Sequence, residues 1–204
     1  AAELKRAQAQ TIDDLRLRLV RTRWPDDMRS SGWSNGTELA YLKQLVEYWI
    51  DEFDWPAQQA RLNRLGHYQT VIEGVRIHFV HARGEGKNPL PLIMTHGWPG
   101  SFLEMEKVLP RLTHPQRFCG IEEDAFDVVI PSVPGFGFSE HPVVSGMNGR
   151  EVARLWAALM DGLGYSRYGA QGRDIGAGSS PGLGDYHPQC VAWVHLHFIP
   201  GNYA

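Results

Sequence analysis

The chain has 204 residues, of which 43% are hydrophobic and 21% are charged. These shares are those of a folded globular protein and exclude a disordered, low-complexity chain. The net charge of −3 argues against a general binder of nucleic acids, because such domains carry a basic excess. No stretch approaches the roughly 18 apolar residues of a membrane span, and residues 1–10 lack the apolar region of a signal peptide.

We interpret Cys119 and Cys190 as two free, mostly buried thiols, because they complete neither a disulfide framework nor a metal motif. Free thiols are typical of a reducing compartment, so we predict a cytoplasmic location. The sequence carries no indication of an oligomeric state.

The first third of the chain is predicted to be helical. Thr11 is the expected cap of a first helix, which Trp24-Pro25 would end because the residue before a proline disfavours helical dihedral angles. Two further helices are predicted near 37–50 and 54–65. Helices this short need tertiary contacts to be stable, so their apolar stripes are interpreted as a packing surface within a helical domain over 1–65.

From residue 66 onwards, short apolar runs alternate with helical patterns and Gly-rich turns. Strands are predicted at 68–72, 75–80, 90–95, 126–130, 167–171 and 191–199. The first two form a hairpin around Glu73-Gly74. Ser101 and Glu104 have the spacing of a capping box that opens a helix to about Leu112, and a further helix ends near Gly162. This alternation predicts an α/β fold with a largely parallel sheet.

The segment Gly172-Arg173-Asp174-Ile175-Gly176 has the spacing of a nucleophile elbow, a sharp strand-to-helix turn that lifts one side chain above the sheet. The raised residue would be Asp174, whose carboxylate is ionised at neutral pH and attacks without a base. Taken alone, the pentapeptide also fits an ordinary Gly-Asp turn. Pro181 and four glycines between 176 and 184 weaken the expectation of a regular helix after the elbow.

Two other patterns are assigned structural roles. Gly178-Ser179-Ser180-Pro181-Gly182 matches a serine elbow, but no strand precedes it and Pro181 has no N–H for an oxyanion hole. We therefore reject Ser180 as a nucleophile. His195 and His197 alternate along a predicted strand and are interpreted as ordinary sheet positions, because a metal site would need further ligands.

The segment His96-Gly97-Trp98-Pro99 lies between a predicted strand and a predicted helix, where the α/β-hydrolase architecture places its second oxyanion N–H. One predicted strand separates this segment from the elbow, which is the spacing that such a fold requires. The loop 131–139 after that strand is dense in proline and glycine, and we interpret it as support beside the site.

Several segments, spread over nearly all 204 residues, carry a resemblance to a known family: Ile12-Asp13-Asp14-Leu15-Arg16, Arg23-Trp24-Pro25, Tyr48-Trp49, Phe53-Asp54-Trp55, Leu62-Asn63, Ile77-His78-Phe79-Val80-His81, His96-Gly97-Trp98-Pro99-Gly100-Ser101, Pro134-Gly135-Phe136-Gly137-Phe138-Ser139 and Gln171-Gly172-Arg173-Asp174. With these segments the chain resembles the microsomal-type epoxide hydrolases of the α/β-hydrolase superfamily. The resemblance implies a partial α/β-hydrolase fold with a mostly parallel sheet over 66–204, wrapped by the helical extension 1–65.

The resemblance also implies a two-step conversion of an epoxide to a vicinal diol, with a role in detoxification. Asp174 would open the epoxide to a covalent ester, and a water activated by a His would hydrolyse that ester. Backbone N–H groups of Trp98 and Ile175 would stabilise the oxyanion, and two lid tyrosines would protonate the epoxide oxygen. The supporting motif residues would be His96, Gly97, Pro99, Gly172 and Gly176. The partners implied are a small-molecule epoxide and water, with no nucleic acid, metal or organic cofactor.

Thirty residues follow Asp174, and the family places the lid tyrosines, the acid and the catalytic His beyond that point. We therefore expect this chain to correspond to the N-terminal half of an enzyme and to be inactive alone. A haloalkane dehalogenase is one alternative, although those enzymes place a Trp where this chain has Ile175. The other alternative is a truncated, non-catalytic product that acts as a folding remnant or an interaction module.

Overall fold

The structure is a computed structural model that describes residues 7–26, 32–142 and 145–199. Contacts divide these residues into two compact units, a helical unit up to Arg64 and a sheet unit from Leu65 onwards. No described helix is long and apolar enough to cross a membrane.

The helical unit contains three α-helices, α1 (Ala9–Val20), α2 (Leu39–Asp51) and α3 (Trp55–Leu62), and none of their residues is buried. The predicted Thr11 cap is wrong, because the good helix formers Ala9 and Gln10 extend α1 by most of a turn before it. The start of α3 is capped by Asp54, whose Oδ1 accepts a hydrogen bond from the Ala57 N–H at 2.9 Å.

The sheet unit is built on six strands in the order β1-β2-β4-β3-β5-β6, and the strands are β1 (His67–Ile72), β2 (Val75–Ala82), β3 (Leu90–Thr95), β4 (Phe126–Pro131), β5 (Tyr168–Gly172) and β6 (Val191–Leu196). The predicted hairpin is confirmed, with positive φ angles at Glu73 and Gly74 in a two-residue turn. β2 is antiparallel to both neighbours, whereas β4, β3, β5 and β6 are parallel. The mostly parallel α/β sheet is thereby confirmed.

Three α-helices complete the sheet unit: α4 (Leu109–Thr113), α5 (Gly149–Gly162) and α6 (Ile175–Tyr186). Alternate residues of β3 point to opposite sheet faces and enter two separate cores. Ile93 packs with Trp156 and Leu159 of α5, while Leu92 and Met94 join the cluster around Phe102, Met105 and Leu109.

The prediction of one continuous helix from residue 102 to about 112 is wrong, because the segment forms two separate helical pieces. A 3-10 turn covers Phe102–Met105, and α4 starts only at Leu109. Pro110 accounts for the break, since it has no N–H to donate and its ring collides with the carbonyl four residues earlier.

A helix follows the elbow, since α6 forms with Pro181 inside it. Glycines of both α5 and α6 allow the two helices to pack closely: a Cβ at Gly149 of α5 would lie 2.6 Å from the Gly178 carbonyl oxygen, and one at Gly182 of α6 would lie 3.1 Å from the Ala153 Cβ. This tertiary packing outweighs the local cost of the proline. The thiols are free as expected, but Cys119 is exposed and Cys190 only partly buried, so the expected burial is wrong.

Candidate active site

The carboxyl ends of β3 and β5 lie side by side, since Thr95 pairs with Gly172 in the parallel register. The loop that follows each strand therefore leaves the sheet at the same place. One loop carries His96-Gly97-Trp98-Pro99, and the other carries Arg173 and Asp174. The fold brings together the two segments in which the sequence predicted a site.

Asp174 occupies the turn between β5 and α6 with φ 51° and ψ −116°. A positive φ is uncommon for a residue other than glycine, and such strained positions cluster at functional sites. The Asp174 side chain is exposed and does not cap α6. This is the backbone geometry of a strained strand-to-helix elbow with its carboxylate held above the sheet.

Three glycines make room for this turn. A Cβ at Gly172 would collide with the carbonyl of Gly176, and a Cβ at Gly176 would collide with the carbonyl of Thr95. A Cβ at Gly97 would lie 2.5 Å from the Cβ of Asp174. The glycines of both motifs therefore serve close backbone approach.

Two backbone donors face the Asp174 carboxylate. The Trp98 N–H donates a hydrogen bond to Oδ1 at 2.8 Å, and the Ile175 N–H is near enough to the carboxylate to lower its pKa. These two donors, in that order, lower the pKa of Asp174; the positive charge of Arg173 adds to this, and slight burial opposes it. The carboxylate is therefore ionised at neutral pH, and it lies where two N–H groups converge.

His96 ties the first loop to the loop after β4. It is fully buried; its Nδ1 lies 3.1 Å from the Gly97 carbonyl oxygen, and its Nε2 accepts a hydrogen bond from the Val133 N–H at 3.1 Å. Burial lowers the pKa of His96, against the opposing hydrogen bond to Gly97. A neutral ring with both nitrogens engaged acts as a support. Pro99 is exposed and follows a cis peptide bond.

The loop 131–139 is anchored to β2, in line with its interpretation as support. The Nδ1 of His78 lies 2.9 Å from the Ser132 hydroxyl, and the Ser139 hydroxyl accepts from the His78 N–H and donates to the Ser132 carbonyl. His67 extends this series of hydrogen bonds, with its Nδ1 2.9 Å from Nε2 of His78. Sequence reasoning missed the buried His67–His78 pair, although the hairpin register makes them diagonal neighbours on one sheet face.

Ser180, His195 and His197 are the residues that were assigned structural roles from the sequence. Ser180 is fully buried within α6, so its hydroxyl is not presented as a nucleophile. The rings of His195 and His197 lie 5.0 Å apart, and no cluster of three metal-binding side chains occurs among the described residues.

A cavity of about 450 Å³ opens on the sheet face that carries α4, lined by residues that include Met94, Met105, Gln171, Trp193, His195 and His197. Glu104 and Arg173 contribute to the same wall. Gln171 is buried, and neither its amide nitrogen nor its amide oxygen has a hydrogen-bond partner in the described structure. The cavity is therefore mostly apolar with a polar edge beside the elbow.

Comparison with known proteins decides the family. Residues 4–105 match the family described as epoxide hydrolase N terminus, and residues 91–194 match the alpha/beta hydrolase fold. The chain belongs to the epoxide hydrolase family. The family and the fold expected from the sequence are thereby confirmed.

Relatives extend well beyond the span of this chain. A Stigmatella aurantiaca protein, provisionally named an epoxide hydrolase, is 47% identical to this chain over 187 residues. The matched residues cover 92% of this chain and 42% of that protein. Epoxide hydrolase 1 of Oryctolagus cuniculus is 38% identical over 192 residues, with the same two coverages. The crystal structure of juvenile hormone epoxide hydrolase from the silkworm Bombyx mori matches with a TM-score of 0.85 and 29% identity, over 96% of this chain and 51% of that one.

Proposed function

We propose that the elbow serves epoxide hydrolysis through a covalent ester on Asp174. The observation that carries the proposal is the Asp174 carboxylate, exposed on a strained turn with the Trp98 N–H at 2.8 Å from Oδ1. The ionised carboxylate supplies the nucleophile, and family membership supplies the class of electrophile. The substrate is a small-molecule epoxide and the second reactant is water.

In the first step, one carboxylate oxygen of Asp174 attacks an epoxide carbon. The carbon–oxygen bond of the ring breaks, the ring oxygen takes up a proton from solvent water, and a hydroxyalkyl ester forms. In the second step, water adds to the ester carbonyl carbon and loses a proton to a base. The oxyanion that forms would accept hydrogen bonds from the Trp98 and Ile175 N–H groups, and its collapse would release the diol and restore the carboxylate.

The second step needs a general base, which is worth about 10²–10⁴-fold in rate. His96 is unsuited to this role, because both ring nitrogens are engaged and the ring is buried. By resemblance, the base, its acid partner and two proton-donating tyrosines belong to a part of the family fold that this chain does not span. We therefore propose that the 204-residue chain stops at the ester.

The test is to incubate the chain overnight with styrene oxide and to measure its intact mass. We expect a gain of one epoxide mass, located by peptide mapping on Asp174, and no multiple turnover to diol. Asp174→Ala should abolish the adduct. Asp185→Ala should keep it, because Asp185 is an exposed carboxylate of the same helix outside the elbow.

Four outcomes would contradict the proposal. An unmodified Asp174 in a folded chain would exclude it as the nucleophile, and sustained diol formation would show that the chain needs no further base. Modification by a bromoalkane in preference to the epoxide would favour a dehalogenase. A folded chain that neither reagent modifies would support the non-catalytic alternative.

A cytoplasmic location with a role in detoxification belongs to the same proposal. The cytoplasmic location is supported by Cys119 and Cys190, which are both free. Fractionation of the native host, followed by detection of the chain, measures the location directly.

A further inference from the structure

An ion pair links the two loops of the candidate site. The Nη1 of Arg173 lies 3.0 Å from Oε2 of Glu104, and the Glu104 side chain is about four-fifths buried. The Arg173 and Glu104 side chains are not aligned for a hydrogen bond, so the contact is an electrostatic attraction between their charges. On the other side, the Arg173 N–H donates to the Thr95 carbonyl at 3.3 Å, which fixes the backbone of the elbow to β3.

Glu104 reaches this position from the first loop. Its carboxylate lies across Gly100, where any Cβ would collide with Oε1. The predicted capping box is only half formed, because the Ser101 hydroxyl accepts from the Leu103 N–H at 3.3 Å while Glu104 turns to Arg173. The absence of a side chain at Gly100 leaves room for the Glu104 carboxylate, and the ion pair with Arg173 holds it there.

Arg173 directly precedes the attacking carboxylate in the chain. A cation beside Asp174 stabilises the anion, and attack on an epoxide turns that anion into a neutral ester. A free guanidinium would therefore stabilise the ground state more than the transition state and slow the attack. Glu104 supplies an alternative partner for the Arg173 charge within the protein.

We propose that Glu104 is a positioning residue that tethers Arg173 and keeps it from pairing with the nucleophile Asp174. The inference rests on the proposed function only in taking Asp174 as the attacking group. The other titratable groups near the pair are His195 and His197, which line the same cavity wall, and the neutral His96, which is within reach of the Glu104 charge. Of these groups, the Glu104 carboxylate is the anion within ion-pair distance of Arg173, while the Asp174 carboxylate is near enough for the Arg173 charge to lower its pKa.

The test is a double-mutant cycle read by carbon NMR titration of the Asp174 carboxyl, assigned with Asp174→Asn. Glu104→Gln should lower the Asp174 pKa, because the released Arg173 charge turns towards the carboxylate. Arg173→Gln should raise it. In the Arg173→Gln background, Glu104→Gln should have much less effect than in the wild type, since no cation remains to be released.

Arg154→Gln is the matched control, because Arg154 forms exposed ion pairs with Glu73 and Glu151, outside the two loops of the candidate site. It should leave the Asp174 titration unchanged, and thermal unfolding should show that each variant folds. An equal effect of Glu104→Gln in both backgrounds, or shifts of the same sign from both single variants, would overturn the tether. The titration uses no epoxide, so it fails or succeeds independently of ester formation on Asp174.

Discussion

Because Gly97 has no side chain, the loop after β3 can approach the nucleophile Asp174 closely. A Cβ there would lie 2.5 Å from the Asp174 Cβ and 2.8 Å from Oδ1, the oxygen that accepts from the Trp98 N–H. The same peptide segment thus supplies both the donor and the space for the acceptor. Because Gly97 does not have a positive φ, steric conflict is the only cost of a methyl group at this position.

We therefore predict that Gly97→Ala displaces Asp174 and slows ester formation by on the order of 100-fold, the effect of a misplaced reacting group. Gly162→Ala is the control, because a Cβ at Gly162 meets no atom within 4 Å. The measurement is the rate of the styrene oxide adduct by intact mass. An unchanged rate in Gly97→Ala would show that the loop yields without harm to the site.

At the scale of elements, the β1–β2 hairpin is joined to the site-supporting loop through buried histidines. His78 contacts His67 and Ser132, and all three side chains are buried. Burial, and secondarily the neighbouring His67, lower the pKa of His78 from 6.5 to about 4. The folded state therefore requires neutral His78, whereas the unfolded chain binds a proton in mild acid.

The sign of the pH effect follows from this difference. The stabilisation is fully present above the unfolded pKa of about 6.5 and is lost as the pH falls towards 4. We predict that about 3 kcal/mol of unfolding free energy disappears over this range through His78 alone. Urea unfolding at several pH values measures it. His78→Gln should unfold more easily at pH 7 but with a flatter pH dependence, and an equally steep dependence would contradict the assignment.

Local sequence patterns predict the elements whose contacts are between sequence neighbours. They fail where contacts with residues far away in the sequence determine the local structure. The alternation of apolar residues and the Glu73-Gly74 turn predict the hairpin, because its contacts are between sequence neighbours. The elbow and its flanking glycines predict where Asp174 lies. The half-formed capping box was not predictable, since Glu104 takes Arg173, about 70 residues away, as its partner. The local sequence of α6 does not predict a regular helix for the same reason, because α6 is stabilised by its packing against α5.

At the scale of the whole molecule, the two units differ in how much they bury. The sheet unit has two cores with fully buried Ile93, Val129 and Trp156. The helical unit has no buried residue in its three helices, and Trp33 is 58% exposed. Segments with few buried contacts open with low free energies, and helices of this length are marginal alone. The domain boundary that we propose after residue 65 should therefore also be a boundary in stability.

Hydrogen–deuterium exchange with peptide mass spectrometry tests this prediction. We expect backbone amides of α1, α2 and α3 to exchange roughly a hundredfold or more faster than those of β3, β4 and β5. The change should fall between the end of α3 at Leu62 and the start of β1 at His67. The α5 helix is the internal control, since it is of similar length to α2 but has buried Leu155, Trp156 and Leu159. Protection of α2 equal to that of α5 would show that the helical unit shares the stability of the sheet unit, and that the two do not behave as separate domains.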